Sequence, residues 1–172
     1  MTTTAELLQD GYARIAQETN AVLDGLSPTL LTYRLDPAAN TIAWLIWHLT
    51  RVQDDHLADA FDRPQVWIAD GWATRFALPF ADEVIGYGQS SADVAQVQPS
   101  IENLQGYADG VQARTVELLA GLDDAALDRV VDTRWDPPVT LAVRLISVLS
   151  DGLQHVGQAA YVRGAAERLT RS

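Results

Sequence analysis

Four stretches of this chain repeat apolar residues every three or four positions, and no stretch of useful length alternates apolar with polar. Such a pattern restricts the chain to packing helix on helix. From Thr4 to Leu26, the residues Leu7, Leu8, Ile15, Val22 and Leu23 fall on one helical face, and Ser27 with Pro28 ends the run. A second helix is expected from about Thr41 to Phe61, with the Asn40 side chain placed to cap it. A third starts at Pro99, buries Ile101, Leu104, Val111, Leu118 and Leu119, and ends near Gly121. The segment DDAALDRVV reads as a short extra helical turn, and the prolines of WDPPVT stop the chain before a fourth helix from roughly Thr140 to Leu169. Four long helices in 172 residues predict an all-α four-helix bundle, with residues 1–172 forming one domain large enough to bury a core.

Residues 62–98, between the second and third helices, have a different character. Pro64, Gly71, Pro79, Gly86 and Gly88 interrupt regular structure there, while Trp67, Trp72, Phe76, Phe80 and Tyr87 concentrate aromatic surface. A long connection so rich in aromatics is expected to fold down and cover something.

Composition excludes several functions. Cysteine is absent, so the chain supplies no disulfide, no thiolate cluster and no thiol nucleophile, and any sulfur chemistry needs a thiol from outside. A formal net charge of −11, with the twelve arginines scattered and no lysine, argues against nucleic-acid binding. The N-terminal residues have no basic region and the longest apolar run, IAWLIW, falls far short of a membrane span, so a cytoplasmic protein with no membrane partner is expected. Nothing in the pattern separates a monomer from a homodimer.

Two of the three histidines and one aspartate lie at helical spacing in apolar surroundings: His48 in WLIWHLT, and Asp151 with His155 in VLSDGLQHVGQ. Four residues correspond to about 400° of helix rotation, so Asp151 and His155 leave the same face one turn apart. An unpartnered carboxylate in an apolar wall is costly, so Asp151 calls for a cation or strong donors. Two histidines and a carboxylate from two helices make an open three-ligand divalent-metal site. The same three side chains can instead form a polar network, Asp151 accepting from His155 and His48, with no metal.

Other polar residues stand nearby in register. Arg51 and Arg144 could clamp a substrate carboxylate, and Trp44 could form a wall of a substrate site, although structural roles are open to all three. His56, about 80° around the helix from His48, reads as a surface or loop-facing histidine, whereas Asp55 is nearly in line with His48.

The segments ANTIAWLIWHLTRVQDDH and DGLQHVGQAAYVRG resemble the DinB-like superfamily of metal-binding four-helix bundles. The likeness runs over nearly the whole chain, including AVLDGLSPTL, IADGWATRF, GYGQ and VVDTRWDPPV, and is nearest to the mycothiol S-transferase branch. It implies His48, Asp151 and His155 as metal ligands, where many members have histidine in place of Asp151. The related mycothiol-dependent maleylpyruvate isomerases have glutamate there. It also implies a glutamine, here Gln158, beside the site. The expected activity is conjugation of mycothiol to small electrophiles at a divalent ion, with zinc the expected metal. Three alternatives remain at this level: thiol-dependent isomerisation of an unsaturated diacid, metal-assisted hydrolysis with Asp55 as base, and metal binding without turnover.

Overall fold

The computed structural model describes residues 1–170. In chain order its elements are α1 (Thr4–Leu23), α2 (Pro28–Leu31), α3 (Ile42–Phe61), α4 (Val66–Ala69), α5 (Trp72–Phe76), α6 (Ser91–Val94) and α7 (Ile101–Ala120). A 3-10 turn (Asp124–Asp128), the short strands β1 (Val130–Asp132) and β2 (Val139–Thr140), and α8 (Leu141–Thr170) complete them. The four long helices pack in a ring in which α3 lies against α8 and α7, and α1 lies against the same two. The fold is the expected all-α bundle.

Local chemistry sets the helix boundaries. The Thr3 hydroxyl and the Glu6 carboxylate each accept from the other's backbone amide, a reciprocal cap that starts α1. α1 stops at Leu23, short of Leu26, because Asp24 leaves the helix and Gly25 turns the chain at φ 63°. Ser27 and Pro28 open α2 instead of closing α1, with the Ser27 hydroxyl accepting from the Leu30 amide at 3.3 Å. At α3 the capping side chain is Thr41, which accepts from the Trp44 amide at 3.0 Å, and not Asn40. Ser100 caps α7 directly after Pro99.

The DDAALDRVV region differs most from expectation. Its helical turn is followed at once by β1, which pairs antiparallel with β2 across the proline-containing segment. Strands of three and two residues are too short to show an alternating pattern.

Facing helices are joined by polar contacts as well as apolar packing. Tyr12 donates to the Leu145 carbonyl at 2.9 Å, linking α1 to α8, and Gln53 donates to the Thr115 hydroxyl at 2.8 Å, linking α3 to α7. On α8, Gly152 allows Ile15 to approach so closely that a Cβ there would stand 2.7 Å from the Ile15 Cδ1. At the far end of the bundle Arg163 donates to the carbonyls of Ala21, Val22 and Asp24, satisfying the last turn of α1.

Every residue from Ile42 to Asp54 is buried, so α3 is enclosed on nearly all sides. The segment between α3 and α7 provides the cover. Trp67 and Phe76 lie against Tyr107 of α7 with ring centroids 5.1 and 5.8 Å away, Trp72 is 6.0 Å from the same ring, and Phe80 lies 6.2 Å from Trp47 of α3. Trp67 and Phe76 are therefore core, and Trp72 and Phe80 pack half-buried against it. The cover is held down by Asp54, which accepts from the Val66 and Trp67 amides at 2.8 and 2.7 Å and from the Tyr107 hydroxyl at 2.8 Å. Burial pushes the Asp54 carboxyl upward, and those three donors with nearby Arg51 oppose the shift.

Replacing Asp54 with alanine deprives two amides and the Tyr107 hydroxyl of their acceptor and leaves the buried Arg51 without its nearest countercharge. We expect Asp54→Ala to lose about 3–5 kcal/mol of unfolding free energy in urea denaturation, with the cover most exposed to protease.

Candidate metal centre

α3 and α8 bring His48, Asp151 and His155 together. One donor atom from each lies within 4.8 Å of the other two, with His48 buried and the other two half-buried. The imidazole rings are 4.7 Å apart and nearly edge to face. Trp44, one turn before His48, stacks on its ring at 4.5 Å and 16°, and its indole N–H donates to Gln89 at 2.6 Å.

The backbone fixes the tautomer of both rings. His48 Nδ1 meets the carbonyl of Ile85, and His155 Nδ1 meets the carbonyl of Asp151 one turn earlier at 2.9 Å. A carbonyl only accepts, so in each neutral ring the proton sits on Nδ1 and Nε2 keeps its lone pair. Such an outer contact is the usual way of orienting a metal-binding imidazole. Asp151 Oδ2 is buried without a hydrogen-bond partner, 3.3 Å from a His155 Nδ1 whose proton is directed at the backbone. Two open imidazole nitrogens and an orphaned carboxylate oxygen fit a divalent cation in charge and donor type.

The electrostatics of the two rings differ. Burial pushes His48 below the ordinary histidine range, against the upward pull of the Ile85 carbonyl. The Asp151 carboxylate holds His155 above that range, against burial.

The segment that holds His48 lies at the end of the long connection. Gly86 has φ 105°, and a Cβ on it would stand 2.5 Å from His48 Nδ1. Only glycine fits between the Ile85 carbonyl and the ring it holds. Tyr87, 63% exposed, sets its ring edge-on to His48 at 5.3 Å. Of the five aromatics in the connection, Tyr87 is the one that contacts a candidate ligand, and what the other four cover is the bundle core. Ile85 and Tyr87 also border a groove of about 930 Å³ running toward the end of α3.

The remaining candidates are placed as follows. Arg51 is fully buried and donates to the Gln65 side chain at 2.9 Å and the Asp82 carbonyl at 2.8 Å, so its guanidinium ties the connection to α3 and has no surface for a substrate. Arg144 is buried and donates to Asp132 at 2.8 Å, while its Nε has no partner. Gln158 is exposed on α8. Asp55 and His56 are half-buried and bonded to each other at 3.0 Å. The Ile85 carbonyl is a backbone group with no sequence signal of its own; its one trace is the glycine that follows it.

These features define a helical bundle in which three side chains on two facing helices could hold a metal ion. The DinB superfamily model matches residues 12–159, and the chain belongs to the DinB superfamily. The superfamily includes metal-dependent enzymes, and its fold binds metal in general. A solved structure described as the conserved protein of locus from Enterococcus faecalis superposes with a TM-score of 0.88 and 26% identity, over 95% of this chain and 96% of that one. No curated protein matches the chain. No helix among the described residues is long and apolar enough to cross a membrane.

Two consequences can be measured. Gly86→Ala forces the Ile85–Tyr87 segment away from His48, so metal affinity, read by competition with a chromogenic chelator, should fall about 10–100-fold with helical content unchanged. The second concerns Asp132, held well below the ordinary carboxylate range by the Arg134 side chain and amide, with Arg144 adding to them against burial. A depressed folded-state value means that the stabilisation is present above about pH 4 and is lost as pH falls through the depressed value. Asp132→Asn should therefore be less stable than the native chain at pH 7, the difference closing below about pH 4 in pH-dependent thermal unfolding.

Proposed function

We propose that this protein is a metal-dependent thiol S-transferase that conjugates mycothiol to electrophilic small molecules, acting in the cytoplasm with zinc as its ion. The observation that carries the reading is the open 2-His-1-carboxylate group in a chain without cysteine. Three protein ligands leave room for an exogenous donor, and the sulfur must come from a cosubstrate. The resemblance of the GYGQ, VVDTRWDPPV and GQAAYVRG segments to the mycothiol S-transferase branch supports mycothiol as that thiol.

His48, Asp151 and His155 would hold the divalent cation, which when bound would supply Lewis acidity that favours the thiolate, the nucleophilic form of a thiol. With Nδ1 of both rings turned to backbone carbonyls, His48 and His155 would offer Nε2, and the Asp151 carboxylate would offset part of the charge. Trp44 stacks on the His48 ring, and the exposed Tyr87 sets its ring edge-on to it. Overall, a sulfur–carbon bond replaces the bond from carbon to a leaving group, which departs with its electron pair and takes up the thiol proton. With an epoxide, the opened oxygen retains that proton as a hydroxyl.

The isomerase alternative requires cationic partners for both carboxylates of a diacid. Arg51 has no exposed surface and Arg144 is bonded to Asp132, so transferase chemistry is the better match.

His155→Ala should abolish stoichiometric zinc binding, measured by elemental analysis, and mycothiol conjugation of a fluorogenic electrophile, with far-ultraviolet dichroism retained. Glutathione serves as the control thiol. Full conjugation by a verified metal-free variant would overturn the proposal.

A further inference from the structure

The outward side of α8 carries apolar surface that nothing in the bundle covers. Val143, Ile146 and Leu153 are 51, 56 and 44% exposed, and Tyr161 beside them is 68% exposed. The exposed residues Val143, Ile146, Ser150, Leu153, Gly157 and Ala160 recur at steps of three and four. Seven residues return to within about 20° of the same direction, so these six leave α8 along one line. Leu145, Val148, Gly152 and Val156 fill the side turned to the core. The line is about 26 Å long. Its spacing is visible in the sequence, whereas its outward direction comes from the packing of α8.

Charge and shape limit what can cover this strip. No exposed residue of α8 between Val143 and Tyr161 is charged, whereas α1 exposes Glu6, Asp10, Arg14 and Glu18, and α7 exposes Glu102, Asp109 and Glu117. In a chain of net charge −11, a face that meets its own copy must be free of repelling carboxylates. Among the four long helices, α8 alone presents an extended outward face of that kind. Gly157 lies mid-helix, where glycine is destabilising relative to alanine, and a Cβ on it would meet nothing within 4 Å. Contacts within the protomer therefore do not call for glycine there.

We infer that this strip is a homodimer interface in which the α8 helices of two copies pack antiparallel about a twofold axis. Val143 then stands opposite Ala160 of the second copy, Ile146 opposite Gly157, and Leu153 opposite Ser150. Each bulky side chain meets a small one, which lets the two helices approach closely. A parallel pair would set Val143 on Val143 and Gly157 on Gly157, crowding some layers and leaving voids in others. A twofold contact uses the same patch on both copies, and this strip read backwards complements itself. Leu7 of α1, exposed and one turn before the Gly11 that packs on Leu149, extends the apolar surface near Ile146. A contact one helix wide and about 26 Å long is smaller than the about 800 Å² per partner of a standard interface, so the dimer is weak and reversible. The inference is independent of the proposed function.

Sedimentation velocity on the zinc-supplemented full chain tests it. The native chain should pass from monomer to dimer with a midpoint at micromolar concentration. Gly157→Arg adds bulk and charge where the protomer has open space, and should weaken dimerisation at least tenfold with far-ultraviolet dichroism unchanged. Because the chain has no cysteine, engineered thiols report the pairing alone. A chain carrying both Val143→Cys and Ala160→Cys should give a dimer when treated with a short bismaleimide. Val143→Cys alone should not, since antiparallel packing holds its two copies about 26 Å apart. A native chain that stays monomeric up to about 1 mM, or a Gly157→Arg variant that dimerises as tightly as native, would overturn the inference. Crosslinking by Val143→Cys alone, or none by the double variant, would overturn it as well.

Discussion

Burial of α3 on nearly every side organises much of the rest of this structure. A helix in a four-member ring touches two neighbours and ordinarily shows one face to water. Here α7 and α8 cover two sides, and residues 62–98 close the remaining one. That closure buries Arg51 and Asp54, charged groups tolerable in a core only when paired and hydrogen-bonded, and the folded connection supplies many of their partners. The same connection delivers the Ile85 carbonyl to His48. Core packing and ligand orientation thus depend on one stretch of chain.

The two halves of the candidate centre are built differently. Asp151 and His155 are local: one helical turn sets their spacing, and the His155 tautomer is fixed by a carbonyl of the same helix. His48 is non-local, its ring clamped between Trp44 on its own helix and a backbone group 37 residues later. Its greater burial follows from this, and so does the opposite displacement of the two imidazoles from ordinary histidine behaviour. The more basic ring is the one beside the carboxylate.

The bundle was legible because its helices repeat apolar residues over about twenty positions, long enough for periodicity to dominate. The grouping of His48, Asp151 and His155 was legible because polar residues in apolar runs are conspicuous and because helix geometry fixes a four-residue spacing, while only the family resemblance favoured a metal over a polar network. Arg51 shows the limit of such reading, since an arginine three residues after a histidine looks like a surface clamp until the connection folds over it. Asn40 and Thr41 are adjacent capping types, and only backbone geometry chooses between them. The hairpin of β1 and β2 was too short to read, and the grip of Ile85 on His48 belongs to a carbonyl, which every residue has. The pairing of His56 with Asp55 was hidden by adjacency, because neighbouring residues on a helix point in different directions and the bond depends on their rotamers.

The contact between Ile85 and His48 also makes two equilibria interdependent. An ion that prefers the neutral, Nδ1-protonated His48 preferentially binds chains in which the 84–89 segment is seated, since that segment holds the ring in this form. Reciprocity then requires that seating the segment raise affinity for the ion by the same factor by which the ion favours seating. Ion binding and seating of the segment would thus be two coupled equilibria, each favouring the other by the same factor.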